Sequence, residues 1–395
     1  MSNKSPKWSR HLNAFFSFVG YVVVVTIVIA VSLELAARGV LLFSHRSESA
    51  SQPVAANPAY DGYPWTSAVL AEEQQRWSHA VRGTYQPFLI WGVTPWHGRF
   101  VNTDQIEGGI WRRTANPTSG RCADPNAHRF KVWLFGGSTV FGTGIPDFAT
   151  VASTLSRSLN SGNSDCFYVV NMGVEGYVSN QELLLLGEEL KKGLKPDIAV
   201  FYDGVNDAYA GAFAPGIPTA HLNLDRISAR VEGRLASKIE FLDSSYALRL
   251  ARRALMRSQT DKPTAISDSS GISQVKATID NYCANMSQIK ALAVAYGFKA
   301  YFFWQPAFWF GTKPLVPFER KLSTERGNEA LRSMHAVYEA AEQRSQLPGS
   351  GFVFLGHIFD SNSAPLYLDS WMHLGQKGNE IVGERLAGEI RAQLR

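Results

Sequence analysis

From about Phe130 to the C-terminus, short and nearly continuous apolar segments alternate with longer amphipathic ones. The apolar segments, predicted as five strands, cover 130–135, 167–171, 198–202, 300–304 and 352–355. The amphipathic segments, predicted as helices, cover about 150–159, 180–193, 275–296, 324–344 and 378–394. Continuous apolar strands separated by helices are typical of a parallel sheet that is covered on both faces. With right-handed crossovers, the pattern predicts an α/β protein, a three-layer α/β/α sandwich around a five-stranded parallel sheet.

One long segment, 208–270, interrupts this alternation between the third strand and its helix. We interpret it as an insertion that is mildly basic and partly helical, with helices over 228–242 and 247–258. It would form either a lid over a site or an interaction surface, and the sequence leaves both possibilities open.

The N-terminal region contains an uncharged apolar stretch from Ala14 to Leu33. A helix of about 20 apolar residues is long enough to cross the roughly 30 Å hydrocarbon layer of a membrane. A cleaved signal peptide is the alternative, but the stretch is longer than a usual signal core and no small-x-small site directly follows it. We therefore predict a transmembrane anchor over 14–36. The basic residues Lys4, Lys7 and Arg10 favour a cytoplasmic N-terminus over 1–13.

The predicted domain order continues beyond the anchor. Residues 44–59 are rich in Ser, Ala and Pro, which predicts a flexible linker. Residues 60–128 have many aromatic residues and little helical period, and we interpret them as an accessory β region with short strands at 99–104 and 109–114. The main domain then covers 129–395. Its expected location is the periplasmic side of a bacterial inner membrane.

Composition narrows the function classes. The chain is 45% hydrophobic and 18% charged, so it can form a sizeable core. The net charge of +5 is scattered, with no basic run interleaved with aromatic residues, so nucleic-acid binding is not expected. We find neither an HExxH motif nor a Cys/His cluster, and no metal or cofactor is expected.

The three cysteines are too few for a disulfide scaffold. Cys122 and Cys166 lie just before the first and second strands, which are neighbours in a flavodoxin-like sheet. An extracytoplasmic location would permit a disulfide between them, but the sequence does not decide this. Cys283 lies in the middle of a predicted helix, where we expect a small core residue.

Chemically useful residues follow the strands, where ligand sites of parallel sheets lie. Strand one ends in Gly136, Gly137 and Ser138, and strand three is followed by Asn206. The other blocks are the glycine-rich segment 173–176 after strand two and the segment 369–373 after strand five. A serine nucleophile needs a base such as histidine, a carboxylate to orient that base, and preorganised donors for an oxyanion. The strand ends supply all of these residue types.

The ordered blocks GGST, GVEG, GVND and D…H resemble those of SGNH (GDSL-like) hydrolases, over about 130–395 and closest to bacterial membrane-anchored members with a GGST block. This resemblance implies a serine esterase with Ser138 as nucleophile and His373 as base. It also implies an oxyanion hole formed by the Ser138 N–H, the Gly176 N–H and the Asn206 side chain. Distance from the strand end favours Gly176 over Gly173 for the second donor.

Two positions depart from the family pattern. Gly137 stands where an aspartate is usual, and three residues instead of two separate Asp369 from His373. Asp369 would act as the triad acid through a bulged turn, or a backbone carbonyl would orient the imidazole instead.

Each block alone has an unremarkable alternative. The GGST turn could be a plain turn or a phosphate nest, although the lysine of a P-loop is missing. The aromatic residues at the end of strand four, Trp304, Phe308, Trp309 and Phe310, and Gln305 beside them, would pack in the core or line a pocket.

Three functions remain open at this stage. The first is an esterase that removes acyl groups from an ester substrate such as a surface glycan or a lipid. The second is an O-acyltransferase on a cell-surface polysaccharide, which would use the same residues. The third is a non-catalytic glycan-binding or assembly module. Substrate, acyl group, oligomeric state and protein partners are not readable from the sequence.

Overall fold

The computed structural model describes residues 7–50, 57–79, 84–162, 165–213, 217, 220–231, 268–325 and 328–394. The chain forms two compact units, one of residues 1–53 and 225–264 and the other of residues 54–224 and 265–395. The second unit contains the sheet and the strand-end blocks.

The first unit begins with helix α1 (Lys7–Ala50). Its segment Phe15–Gly39 has a mean hydropathy of 2.5 over 25 residues, which makes it long and apolar enough to cross a membrane, although a signal sequence has the same properties. The helix continues to Ala50, through the first half of the segment predicted as a flexible linker. No glycine or proline occurs between Gly39 and Pro53, so nothing in the sequence stops helix propagation there.

In its described residues, the accessory region contains one α-helix and five short strands. After a 3₁₀ turn at Pro58–Tyr60, these are α2 (Thr66–His79), β1 (Thr84–Gln86), β2 (Ile90–Gly92), β3 (Trp96–His97), β4 (Asn102–Ile106) and β5 (Gly109–Arg112). Strands β4 and β5 pair antiparallel, close to the two strands predicted here. Helix α2 was not predicted, because its buried residues include Glu73 and Arg76 as well as Val69, so an apolar stripe is missing.

Five parallel strands form the centre of the main sheet: β6 (Arg129–Gly136), β7 (Cys166–Asn171), β8 (Ile198–Asp203), β9 (Lys299–Trp304) and β10 (Val353–Phe354). The sheet order is β10-β9-β8-β6-β7-β5-β4-β3. The parallel strands thus follow the flavodoxin-like order 2-1-3-4-5, which confirms the predicted sheet. Strand β5 joins the edge antiparallel to β7, at Arg112 opposite Asn171. Together with β4 and β3, it extends the sheet to eight strands.

Nine α-helices follow β6 in the described residues. Their bounds are α3 (Ser138–Phe141), α4 (Val151–Asn160), α5 (Ser179–Lys191), α6 (Val205–Phe213), α7 (Leu224–Val231), α8 (Asp268–Tyr296), α9 (Pro317–Glu325), α10 (Asn328–Ser345) and α11 (Gln376–Leu394), of which α7 belongs mostly to the first unit. Helix α4 packs against α11, while α5, α6 and α10 pack around α8. The sheet lies between these two layers, and its central side chains, such as Phe135 and Val200, are fully buried.

Two predicted helical segments, 324–344 and the insertion, lie partly outside the described residues. The helix predicted over 324–344 corresponds to α10, whereas the short helix α9 before it was not predicted. Residues 326–327 lie outside the described residues. In the predicted insertion, the structure describes α7 and the end of α6, whereas most of the predicted helix 228–242 and all of 247–258 lie outside the described residues.

A disulfide joins Cys122 and Cys166, with a Cα–Cα distance of 5.1 Å and a sequence separation of 44 residues. Because the bond closes a long loop in the unfolded chain, its loss should lower the free energy of unfolding by about 2–4 kcal/mol. Chemical denaturation of the Cys122→Ser/Cys166→Ser variant would measure this loss. The Cys283→Ser variant is the control, since Cys283 is a free, half-buried thiol. A denaturation midpoint that reductant leaves unchanged in the wild type would contradict the disulfide.

Candidate active site

The candidate nucleophile lies in the turn between β6 and α3. Ser138 is the first residue of α3 and follows Gly137 at the N-cap position. The first intrahelical hydrogen bonds run from the Phe141 N–H to the Gly137 carbonyl and from the Gly142 N–H to the Ser138 carbonyl. Amide groups at the start of a helix have no partner within that helix. The Ser138 N–H is therefore placed to donate outward.

Gly137 allows a side chain from the third block to approach the nucleophile turn. A Cβ atom on Gly137 would lie 2.4 Å from the Asn206 Nδ2 atom, closer than real Cβ contacts come. The Asn206 amide also donates a 2.7 Å hydrogen bond to the Tyr177 carbonyl, which holds it in place. A side chain at position 137 would therefore require the Asn206 amide to move.

Substituting Gly137 should therefore disturb the third donor of the proposed oxyanion hole. We expect Gly137→Ala to displace the Asn206 amide and to lower kcat by about 10²- to 10³-fold, the usual cost of losing one oxyanion donor. Steady-state kinetics would measure this, with Gly187→Ala on helix α5 as control, since no atom lies within 4 Å of a Cβ there. Full activity in a folded Gly137→Ala protein would contradict this role for Asn206.

The two glycines of the second block have different surroundings. A Cβ on Gly173 would lie 2.4 Å from the Phe141 backbone nitrogen, so Gly173 is required for packing against α3. Gly176 has a φ of +81°, a left-handed conformation that favours glycine, and it lines the pocket that contains Ser138. The structure thus brings Gly176 rather than Gly173 to the pocket.

The structure brings Asp369 and His373 into direct contact. A hydrogen bond of 2.6 Å joins the Asp369 Oδ2 and His373 Nδ1 atoms. The other carboxylate oxygen, Oδ1, accepts from the Trp371 N–H at 2.8 Å. The turn bridging the extra residue places Met372 at a φ of +65°, an uncommon conformation for a residue other than glycine. The wider spacing is accommodated by this bulged turn.

A buried carboxylate binds the backbone just before the Asp369–His373 turn. Glu319 is fully buried, and its Oε1 atom accepts from the Leu366 and Tyr367 N–H groups at 2.9 and 3.2 Å. Its other oxygen accepts from the Lys313 ammonium at 2.7 Å. The His373 carbonyl in turn accepts from the Leu368 N–H at 2.8 Å. These bonds fix the backbone that carries Asp369 and His373.

The pKa values of Asp369 and His373 are shifted in opposite directions. Burial raises the pKa of Asp369. The charge of His373 and its hydrogen bonds lower that pKa by more, so its net value lies below the ordinary one. Burial lowers the pKa of His373, but the charge of Asp369 and its hydrogen bond, together with Glu175 and Glu73, raise it to a net value above the ordinary one.

The Nε2 atom of His373 is buried and has no hydrogen-bond partner among the described residues. With its Nδ1–H donated to a carboxylate, neutral histidine keeps Nε2 as an acceptor. Ser138 and His373 line the same pocket. The hydrogen bond from the serine to Nε2 is not formed in this structure, and such bonds often tighten only when substrate binds.

The pocket has a volume of about 510 Å³. Besides Ser138, Gly176, Asn206 and His373, its walls contain Trp77 and Trp91 from the accessory region and Trp371 from the histidine turn. The charged pair Arg76 and Glu175 also lines it. Leu222 and Asn223, from the predicted insertion, also line it. Sequence analysis missed Trp77 and Trp91, because the many aromatic residues of 60–128 follow no clear period that would show which of them face a pocket.

The aromatic residues at the end of β9 belong to the core. Trp304, Phe308 and Phe310 are buried, Trp309 packs against the same cluster, and none of them lines this pocket. Gln305 is also buried and does not line it. Their interpretation as a pocket wall is therefore wrong for this pocket, and core packing explains them.

A cluster of buried carboxyl groups lies behind the pocket. Burial raises the pKa of Asp207 to about 6, and it raises the pKa values of Glu182 and Asp203 well above their ordinary values. Asp207 accepts a hydrogen bond from the Ser179 hydroxyl at 2.5 Å, and the Asn285 amide donates to that hydroxyl at 3.0 Å. These groups do not line the pocket, and we assign them to holding α5 and α6 in place.

The strand order and the residues at the strand ends have the arrangement that the sequence motifs implied. The fold is a three-layer α/β/α sandwich with a flavodoxin-like order of its parallel strands. No protein-family model matches the chain, and no curated protein sequence matches it.

Solved structures of hydrolases are similar to this chain. A protein assigned to the G-D-S-L lipolytic family from Desulfitobacterium hafniense shares 9% identity with a TM-score of 0.33, over 66% of this chain and 98% of its own. An acetylxylan esterase from Geobacillus stearothermophilus shares 15% identity with a TM-score of 0.34, over 66% and 94%. A lipase/acylhydrolase from Enterococcus faecalis shares 14% identity with a TM-score of 0.33, over 67% and 96%. Similarity at this level does not identify a substrate.

Proposed function

We propose that the protein is a membrane-anchored serine esterase that removes acyl groups through an acyl-enzyme on Ser138. The observation that carries this proposal is the 2.6 Å contact between Asp369 and His373, because it leaves a buried, unpaired Nε2 atom in the pocket that contains Ser138. A histidine held in this way is a general base for a serine hydroxyl.

The proposed reaction has two steps. In the first, Ser138 Oγ forms a bond to the ester carbonyl carbon while His373 Nε2 takes its proton. The tetrahedral intermediate then collapses, the bond to the leaving alcohol breaks, and His373 returns the proton to that alcohol. In the second, a water molecule attacks the acyl-enzyme with the same proton transfers, which releases the carboxylic acid and restores Ser138.

Three donors support the negative charge on the intermediate. The Ser138 and Gly176 N–H groups are the backbone donors in this proposal, and the second amide hydrogen of Asn206 is the third. The first amide hydrogen of Asn206 is used by the Tyr177 carbonyl, which leaves the other free to point elsewhere. Donors held in place before the reaction lower the barrier most.

The pocket and the N-terminal helix support an ester of a surface glycan or a lipid as substrate. The tryptophan faces in the wall suit an acyl chain or a sugar face, and the polar groups beside them suit the hydroxyl groups of a glycan. The segment Phe15–Gly39 would hold the enzyme at a bacterial inner membrane, with the active site on the periplasmic side.

The experiment compares hydrolysis and transfer in one assay. The full chain in detergent would be incubated with p-nitrophenyl acetate, and with an O-acetylated polysaccharide, while released acid and alcohol are quantified. Equal yields of acid and alcohol are expected for an esterase. Absence of turnover on p-nitrophenyl esters of several chain lengths and on the polysaccharide would contradict the proposal.

An O-acyltransferase is the second candidate, favoured by Leu222 and Asn223 in the pocket wall, because a covered site excludes water from the acyl-enzyme. In the same assay, alcohol release that exceeds acid release in the presence of a sugar acceptor would identify transfer. The hydrogen bond across the widened Asp369–His373 spacing supports a catalytic role over the non-catalytic module.

A further inference from the structure

The peptide between Glu175 and Gly176 is held from outside the parallel sheet. The indole N–H of Trp91, in strand β2 of the accessory region, donates a 2.9 Å hydrogen bond to the Glu175 carbonyl. A trans peptide is planar, with its C=O and N–H groups pointing in opposite directions. Fixing the Glu175 carbonyl therefore also fixes the direction of the Gly176 N–H.

The same tryptophan holds the other side of Gly176. Its backbone carbonyl accepts a 2.5 Å hydrogen bond from the Tyr177 hydroxyl, and its ring lies 3.5 Å from the position that a Cβ on Gly176 would occupy. The Tyr177 carbonyl accepts from Asn206. Trp91 thus touches both neighbours of Gly176, and through Tyr177 it is connected to Asn206.

The Glu175 side chain is held by a second accessory residue. The Arg76 guanidinium, in helix α2, donates to the two carboxylate oxygens of Glu175 at 2.8 and 3.0 Å. Its Nε–H donates to Glu73 at 2.7 Å, so all three guanidinium nitrogens are used. The Thr143 hydroxyl also donates to Glu175, at 2.7 Å. Bidentate pairs of this kind define orientation as well as distance.

Arg76 also contacts the helix that begins with the nucleophile. It is buried, and its guanidinium carbon lies 4.7 Å from the centre of the Phe141 ring in α3. A cation over an aromatic face is attracted to it, more so where water is excluded. One side chain therefore contacts both the Ser138 helix and the Gly176 segment.

We propose that Trp91 and Arg76 are positioning residues that orient the Gly176 N–H toward the oxyanion, so that the accessory region completes the active site of the esterase proposed above. The inference rests on that proposed function. It assigns the accessory region a direct role in catalytic geometry, in addition to its role as a sheet extension.

The first test removes the indole N–H and keeps an aromatic ring. In the full chain, Trp91→Phe should lower kcat for p-nitrophenyl acetate by about 10- to 100-fold, less than the complete loss of a donor, while KM changes little. Trp65→Phe is the matched control, because Trp65 is buried in a hydrophobic cluster separate from that of Trp91 and does not line the pocket. It should lose stability but keep kcat.

The second test changes the charges near His373 and measures the pH profile of kcat/KM. It does not depend on the stability of Trp91→Phe. The charged groups around His373 are Asp369, Glu175 and Glu73, and the cations paired with these glutamates are Arg76 and Arg112. Arg76→Gln leaves Glu175 without its cation, so the acid limb of kcat/KM should move to higher pH. Glu175→Gln removes an anion, so the limb should move to lower pH. Arg76→Lys should restore most of the wild-type profile.

The outcomes separate the two proposals. Opposite shifts of the acid limb together with a kcat loss in Trp91→Phe would support the inference, since a purely structural defect would not shift the profile in both directions. An active wild type with unchanged kcat in folded Trp91→Phe, or with unshifted profiles, would overturn the inference alone. A wild type that is inactive on all esters would overturn the proposed function itself.

Discussion

Ser138→Ala and His373→Ala should each reduce kcat by about 10⁶-fold, and the double variant should lose no more of kcat than either single variant. The reason is that the hydroxyl and the imidazole act as one unit: without the base the serine is a weak nucleophile, and without the serine the base has no proton to accept. Steady-state kinetics on a p-nitrophenyl ester would give the three rate losses.

Additive losses in this comparison would contradict the account, because they would mean that the two residues act in separate steps. Ser158→Ala offers a matched control for the serine substitution. Ser158 lies near the end of α4, in the layer that packs against α11, and it does not line the pocket. The control variant should keep wild-type kcat and KM.

Asp369→Asn should lower kcat by about 10⁴-fold with little loss of stability. The amide would keep the size of the carboxylate, but it would no longer stabilise the imidazolium or select the tautomer with the proton on Nδ1. Since the charge of Asp369 raises the pKa of His373, its removal lowers that pKa. The residual activity should therefore persist to lower pH than in the wild type.

The sign of this shift comes from the role of His373 as a base. A base must be neutral, so activity falls as pH drops through the pKa of His373, which in the wild type lies above the ordinary histidine value of about 6.5. A pH profile of kcat/KM for both proteins would measure the shift. An acid limb at the same pH in both proteins would show that Asp369 is not the partner of the catalytic base.

The central sheet and the candidate catalytic residues were predictable because the signal was local. Continuous apolar strands defined the sheet, and their carboxyl ends defined one edge on which Ser138, Asn206 and His373 had to lie. The strand order also predicted that Cys122 and Cys166 could meet, and the structure joins them. The placement of these residues needed only residue type and position relative to a strand, whereas their catalytic roles came from the resemblance to SGNH hydrolases.

The contribution of the accessory region to the active site could not be predicted from the sequence, because it depends on ion pairs between residues far apart in the chain. Arg76 and Glu73 are charged residues on the buried face of α2, and only their partners, Glu175 and Arg112, make that burial acceptable. A pattern of apolar residues does not show such a face. The positive φ of Met372, which closes the Asp369–His373 turn, was likewise not predictable, because methionine has no preference for that conformation.

The measurement that tests the central claim most directly is covalent labelling of Ser138. The full chain in detergent would be reacted with a fluorophosphonate, and the modified residue would be located by mass spectrometry of peptides. The account predicts one label per chain, on Ser138, that is absent in Ser138→Ala and strongly slowed in His373→Ala and Asp369→Asn. No label on the folded wild type, or a label that persists in Ser138→Ala, would contradict it.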